Sequence, residues 1–300
     1  MIKEYTTVEL LDIFTTKVLE DPNLNIYVLA DAAQESKFLK AFTHLRQKCL
    51  IIEAAGEKAR AVSPHLLQMP IDFFANEWQW IQKNAAGTSI ITIIVSGLSF
   101  KSLFDHLRCF LEIQLEGGLD LFLAFWDPAI LATLVGNKED TSLYVQGSLF
   151  NEKQIQDLLT PIHSWWYWNR VAQLQKIIGF NQYLEKRPII KTPIQFTVEQ
   201  EEQMIEATLP DNLIYYLKLN NGFLVDHLDT QALYKMIIDN LPKARKIGLS
   251  GTRDLVNFMC LKLVYKDQFD TDTQLQSILN DVEKAKISMD DAMQKIMNMK

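Results

Sequence analysis

Residues 102–135 read SLFDHLRCFLEIQLEGGLDLFLAFWDPAILATLV, and the change of period inside this stretch decides how the chain is built. Leu103, Phe104, Leu107, Phe110 and Leu111 recur at three- and four-residue steps, the spacing that lines one face of a helix, and Ser99 is placed to cap its first turn. Asp105 and Arg108 fall on the other face. From Leu111 the period becomes two, with Leu111, Ile113 and Leu115 alternating against Glu112, Gln114 and Glu116. Gly117-Gly118 suits the positive φ angles of a hairpin turn, and Leu119 to Trp126 is the expected return strand. Asp127-Pro128 ends it, because proline cannot donate to a ladder yet fits the first turn of a helix that the aspartate caps.

Working toward the N-terminus, Ser89 to Val95 is an isoleucine-rich strand buried on both sides, and Ile71 to Lys83 is a helix with Phe73, Phe74, Trp78 and Ile81 apolar. Cys49 to Ile52 and Asn25 to Ala30 read as strands around a helix carrying Phe38, Ala41, Phe42 and Leu45. Val8, Leu11, Phe14, Val18 and Leu19 are spaced for a first helix. With the hairpin and a segment Ser142 to Gln146, these strands predict a mixed sheet of five or six strands. Toward the C-terminus, residues 160–196 predict a last strand and helix, then a linker in KRPIIKTPIQF, whose prolines place a boundary near residue 190. Everything beyond is helical, opened by a capping box of Thr197 and Gln200. Helices are expected over Asn212–Leu219, Thr230–Asn240, Pro242–Ile247, Arg253–Val264, Thr273–Ala285 and Ser288–Met297. The expected fold class is therefore α+β: an N-terminal mixed β-sheet lobe flanked by helices, residues 1–190, followed by an all-helical C-terminal lobe, residues 191–300.

Three hundred residues, 48% hydrophobic and 22% charged, suffice for two modest domains. A net charge of −7 argues against nucleic acid as a partner, since that grip is built on cations neutralising phosphates. Three scattered cysteines, no basic-then-apolar leader and no run of about 18 apolar residues lead to the expectation of a cytoplasmic chain with no membrane insertion of its own.

The search for chemistry yields little. His44, His65, His106, His163 and His227 show no metal-ligand spacing, and neither a nucleophile elbow nor a phosphate-cradling glycine loop is present. No catalytic, cofactor-binding or metal residue is singled out, and an enzyme is not expected, although groups distant in sequence meet only in the fold. The most unusual composition is Trp165-Trp166-Tyr167-Trp168. On a strand, Trp165 and Tyr167 face one way and Trp166 and Trp168 the other. One set belongs to the core, and the other is either an exposed aromatic anchor or a second buried face. Trp165, Trp166 and Trp168 are thus the candidate protein-binding residues.

An ordered set of motifs adds a resemblance. His106-Leu107-Arg108 on a helix, a strand with a glycine turn, and Trp126-Asp127-Pro128-Ala129-Ile130-Leu131 follow two upstream elements, Ile26-Tyr27-Val28-Leu29-Ala30-Asp31-Ala32-Ala33 and Ser63-Pro64-His65-Leu66-Leu67. Over about residues 25–150 this resembles a bacterial family long catalogued as a domain of unknown function, whose members serve as effector chaperones or adaptors of the type VI secretion system. The family often has arginine before the aromatic residue ahead of Asp-Pro, where this chain has Ala124-Phe125-Trp126. The resemblance implies a chain without cofactor that binds a cognate toxic effector in the producing cell, stabilises it and promotes its loading on the VgrG spike. It also implies that the helical lobe holds cargo, with a groove expected between the lobes. Tyr27, Asp31, Pro64, His106, Leu107, Arg108, Asp127 and Pro128 carry the signature and are expected to be structural, with Arg108 paired to Asp127 or Asp31. Two other readings stand beside it: an immunity protein that neutralises a toxin, and an enzyme with dispersed catalytic residues.

Overall fold

The computed structural model describes residues 21–35, 37–182 and 190–298. The helix expected around Val8 to Leu19 and the start of the expected linker, residues 186–189 with Pro188 among them, lie outside them. By its internal contacts the chain divides into two compact units, one ending at Met204 and the other beginning at Ile205.

The first unit is organised on a six-stranded sheet. In chain order its elements are β1 (Asn25–Asp31), α1 (Phe38–Ala41), β2 (Gln47–Cys49), α2 (Gly56–Ala61), β3 (Pro64–Gln68), α3 (Asn76–Asn84), β4 (Ile91–Ser96) and α4 (Phe100–Arg108). After these come β5 (Glu112–Gln114), β6 (Asp120–Phe122), α5 (Pro128–Val135), α6 (Glu152–Leu159), β7 (Ser164–Trp168), β8 (Leu174–Ile178) and β9 (Ile194–Gln195). The sheet order is β2-β3-β1-β4-β7-β8. Every neighbouring pair in it is antiparallel.

The α+β class is as expected, but mixed pairing is confined to a separate sheet, β6-β5-β9, where β5 pairs antiparallel with β6 and parallel with β9. The reason lies in what an apolar run encodes. The inner strands β1, β3, β4 and β7 are buried on both faces because helices cover both, and that burial fixes the number of layers without fixing strand direction.

Alternate residues of each strand feed two cores. Tyr27 and Leu29 of β1, Leu66 of β3, Ile94 of β4, and Trp165 and Tyr167 of β7 join Leu103, Phe104 and Leu107 of α4 and Leu131 of α5 on one face. Ile26, Val28 and Ala30 of β1, Ile93 and Val95 of β4, and Trp166 and Trp168 of β7 join Phe38, Phe42, Trp78 and Ile81 on the other. The helix expected from Ile71 begins later, at Asn76, because Asp72 turns the chain by accepting the amide of Phe74 at 2.9 Å.

Two further expectations change. Ser142 to Gln146 is not a strand, because the Ser142 amide and hydroxyl both bond Asp140 Oδ1, at 3.0 and 2.6 Å. The same oxygen accepts Asn169 Nδ2 at 3.0 Å, and Oδ2 accepts the Tyr167 hydroxyl at 3.0 Å. A buried carboxylate thus ties an irregular loop to β7. After β7 there is a second strand, β8, instead of a helix. Asn169 Oδ1 shapes the turn between them by accepting the amides of Val171 and Gln173 at 3.1 and 3.0 Å.

The second unit is helical. Element α7 (Val198–Val225) contains Pro210 and a kink at Asn221 with φ −138° and ψ 37°. It starts on the expected capping box, in which Gln200 N donates to Thr197 Oγ1 at 3.2 Å and Thr197 N to Gln200 Oε1 at 3.1 Å. Next are α8 (Thr230–Lys246), α9 (Thr252–Tyr265), α10 (Thr273–Glu283) and α11 (Met289–Met297). Pro242 lies inside α8, which joins the two helices expected on either side of it. Asp270 accepts Lys243 of α8 at 3.1 Å and Lys262 of α9 at 3.0 Å. These lysines hold its carboxyl below the usual aspartate range, the Lys262 hydrogen bond first and that of Lys243 second.

Candidate functional site

Most signature residues build the frame. Tyr27 is fully buried on β1 and donates its hydroxyl to the Leu98 carbonyl at 2.5 Å; burial pushes its pKa up to about 12 against the lowering effect of Arg46. Asp31 ends β1, with Oδ1 accepting the Ala33 amide and Oδ2 the Gln34 side chain, both at 3.0 Å. Pro64 faces Asp31 across the β1–β3 ladder, and its carbonyl accepts the Leu50 amide at 2.8 Å. His106 Nε2 donates to the Leu158 carbonyl at 2.9 Å, joining α4 to α6, while Leu107 is buried in the core. Asp127 caps α5 by accepting the Ala129 and Ile130 amides, and Pro128 occupies the first turn.

Arg108 is a correction. It pairs with neither Asp127 nor Asp31; its Nη2 donates to Glu53 Oε1 at 2.7 Å, in the segment after β2. Both aspartates give their oxygens to nearby amides and side chains, and nothing local in the sequence points to a carboxylate 55 residues away. Arg108 Nη1 is buried with no hydrogen-bond partner among the described residues.

The aromatic run is interior on both faces. Trp165, Tyr167 and Trp168 are at most 1% exposed and Trp166 is 7% exposed, with Lys176 above the Trp166 ring. The alternation predicted for a strand is present, but a sheet covered on both sides leaves no aromatic anchor at the surface. Trp165, Trp166 and Trp168 therefore hold the two cores to β7, out of a partner's reach in the folded chain.

Apolar surface lies elsewhere. In the first unit, Leu119 of the hairpin turn and Leu121 and Phe122 of β6 are exposed, and β6 pairs with β5 and with no other strand among the described residues. Val198, also exposed, is held beside this hairpin by a bond from its amide to Glu116 Oε2 at 3.3 Å. In the second unit, Tyr215 and Leu219 stand four residues apart on the outer face of α7, with the Tyr216 ring 5.3 Å from that of Tyr215. Phe223, past the kink, is 78% exposed. The sequence reading missed both surfaces, because the same periodicity describes a buried stripe and an exposed one.

A cleft of about 730 Å³ lies along β2 and is walled by the α1 and α2 segments. His65 of β3 lines it opposite Cys49 of β2. His65 Nδ1 donates to the Ser63 carbonyl at 2.9 Å, and burial lowers its pKa, so the ring is neutral with Nε2 as an acceptor. The Cys49 thiol donates to the Ile51 carbonyl at 3.2 Å. A thiol held on one carbonyl and an imidazole held on another do not form a nucleophile and base, which requires a hydrogen bond between the two.

Among the described residues, no group of three His, Cys, Asp or Glu side chains is arranged to hold a metal ion, and no helix is long and apolar enough to cross a membrane. No curated protein and no solved structure matches the chain. Residues 26–142, from β1 through α5 to the Asp140 turn, match the family described as a domain of unknown function, DUF4123.

Proposed function

We propose that the chain is an effector chaperone or adaptor of a type VI secretion system. It binds one cognate toxic effector in the cytoplasm of the producing cell, keeps it soluble, and promotes its loading on the VgrG spike without catalysing a reaction itself. The observation that carries this reading is the family match over residues 26–142, which coincides with the ordered signature from Tyr27 to Pro128. The exposed apolar groups support it. Exposed tyrosine and leucine on one face of α7, and an exposed apolar hairpin, are surfaces that a protein partner covers. The single histidine and the cysteine of the cleft, His65 and Cys49, both engaged with backbone carbonyls, are in keeping with a binding protein.

Deletion of the gene in the producing strain tests the proposal. The expected outcome is retention and loss of the effector inside the cell while spike secretion continues and the producer stays viable. A producer killed by its own toxin would identify an immunity protein instead.

A further inference from the structure

The edge of the large sheet at β2 combines open backbone groups with a charge opposite to that of the protein. Gln68 N donates to Arg46 O at 2.9 Å and Leu50 N to Pro64 O at 2.8 Å, so Arg46, Lys48 and Leu50 direct their main-chain groups at β3. By the alternation of an antiparallel ladder, the amides and carbonyls of Gln47 and Cys49 point away from the sheet. No described strand pairs with that edge. The cleft beside it is lined by Lys40, Lys48 and Arg60 against a single carboxylate, Glu57, in a chain whose net charge is −7. Lys48 and Arg46 lie over the Phe104 and Phe100 rings, at 3.9 and 4.6 Å from their centroids, which fixes a row of cations along one side of the strand. Ile52, half exposed, adds an apolar contact.

From this geometry we infer that β2 receives an extended acidic segment of a partner protein as an added strand. Main-chain hydrogen bonds to Gln47 and Cys49 supply the register, and carboxylates on alternate residues of the segment meet Lys40, Lys48 and Arg60. Lysine on an edge strand repels indiscriminate pairing, and a cationic guard admits a strand of opposite charge. The inference rests on the adaptor reading for the owner of the segment; the chemistry of the edge stands independently of it.

Fluorescence anisotropy of the full chain tests it, with a fluorescein-labelled decapeptide of alternating glutamate and valine as the probe. Saturable binding is expected that weakens with salt and falls at least ten-fold in Lys48→Glu/Arg60→Glu, a change at two exposed side chains, with the fold checked by an unchanged thermal unfolding curve. N-methylation of two adjacent central residues of the probe removes donors from both of its edges and is expected to abolish binding. Equal affinity for an alternating lysine and valine decapeptide, or indifference to either the charge reversal or the N-methylation, overturns the inference. A chain that binds this probe but no effector refutes the adaptor reading alone, and one that binds effector equally well with and without Lys48→Glu/Arg60→Glu and does not bind the probe refutes the edge alone.

Discussion

Asp140 ties the loop after α5 to β7 through a buried carboxyl group. It is 1% exposed and accepts from the Ser142 amide, two side chains and a tyrosine hydroxyl, so Asp140→Asn leaves buried donors facing an amide that cannot take them all. A loss of about 3 kcal/mol in urea unfolding is expected, with a smaller loss for Tyr167→Phe. Arg108 stands at the opposite extreme. Its partner Glu53 is mostly exposed and its Nη1 has no partner among the described residues, so Arg108→Met, which keeps the stem, should change stability by less than about 1 kcal/mol. His106→Ala, which breaks a buried bond to α6, should cost more.

The buried His65 sets a pH dependence. Its folded pKa lies below the unfolded value of 6.5, so the unfolded chain binds the extra proton. The stability it contributes is present above pH 6.5 and is lost as pH falls through the lower folded value. His65→Gln should flatten the stability profile below pH 6.5, and an unchanged slope there would remove His65 as its cause.

At the level of elements, what was legible was what is encoded locally. Ser99 accepts the Ser102 amide at the start of α4, Asp127 caps α5, and the Thr197–Gln200 box opens α7, each within three residues. Asp127→Ala should lower stability by about 1 kcal/mol through loss of that cap, measured by thermal unfolding. What was not legible depended on distant partners. Pro242 lies within a continuous helix because α9 packs against α8, and tertiary contact outweighs a local breaker. The β8 strand was missed because its turn is made by an asparagine side chain without a glycine or proline pair. The aromatic run showed its alternation, while its burial depended on helices recruited from far along the chain, α3 and α4 among them. Trp166→Ala should therefore destabilise the fold by about 3–5 kcal/mol, as expected of a core residue. Loss of partner binding without loss of stability would restore it to a surface role.

At the scale of the whole molecule, His65, His106 and Asp140 are engaged in the structural frame while apolar and cationic groups of the hairpin, α7 and the β2 edge are exposed. The signature residues sit in that frame and not in a pocket, so a resemblance carried by them speaks first about fold; the family match over residues 26–142 covers the same frame. The function proposed requires a protein partner, and that requirement is open to direct measurement. The chain should be co-expressed with the candidate effector encoded beside it and the mixture analysed by size-exclusion chromatography with light scattering. A stoichiometric complex is expected, with an effector that is insoluble without the chain. An effector that is soluble alone and elutes separately from the chain would contradict the adaptor reading.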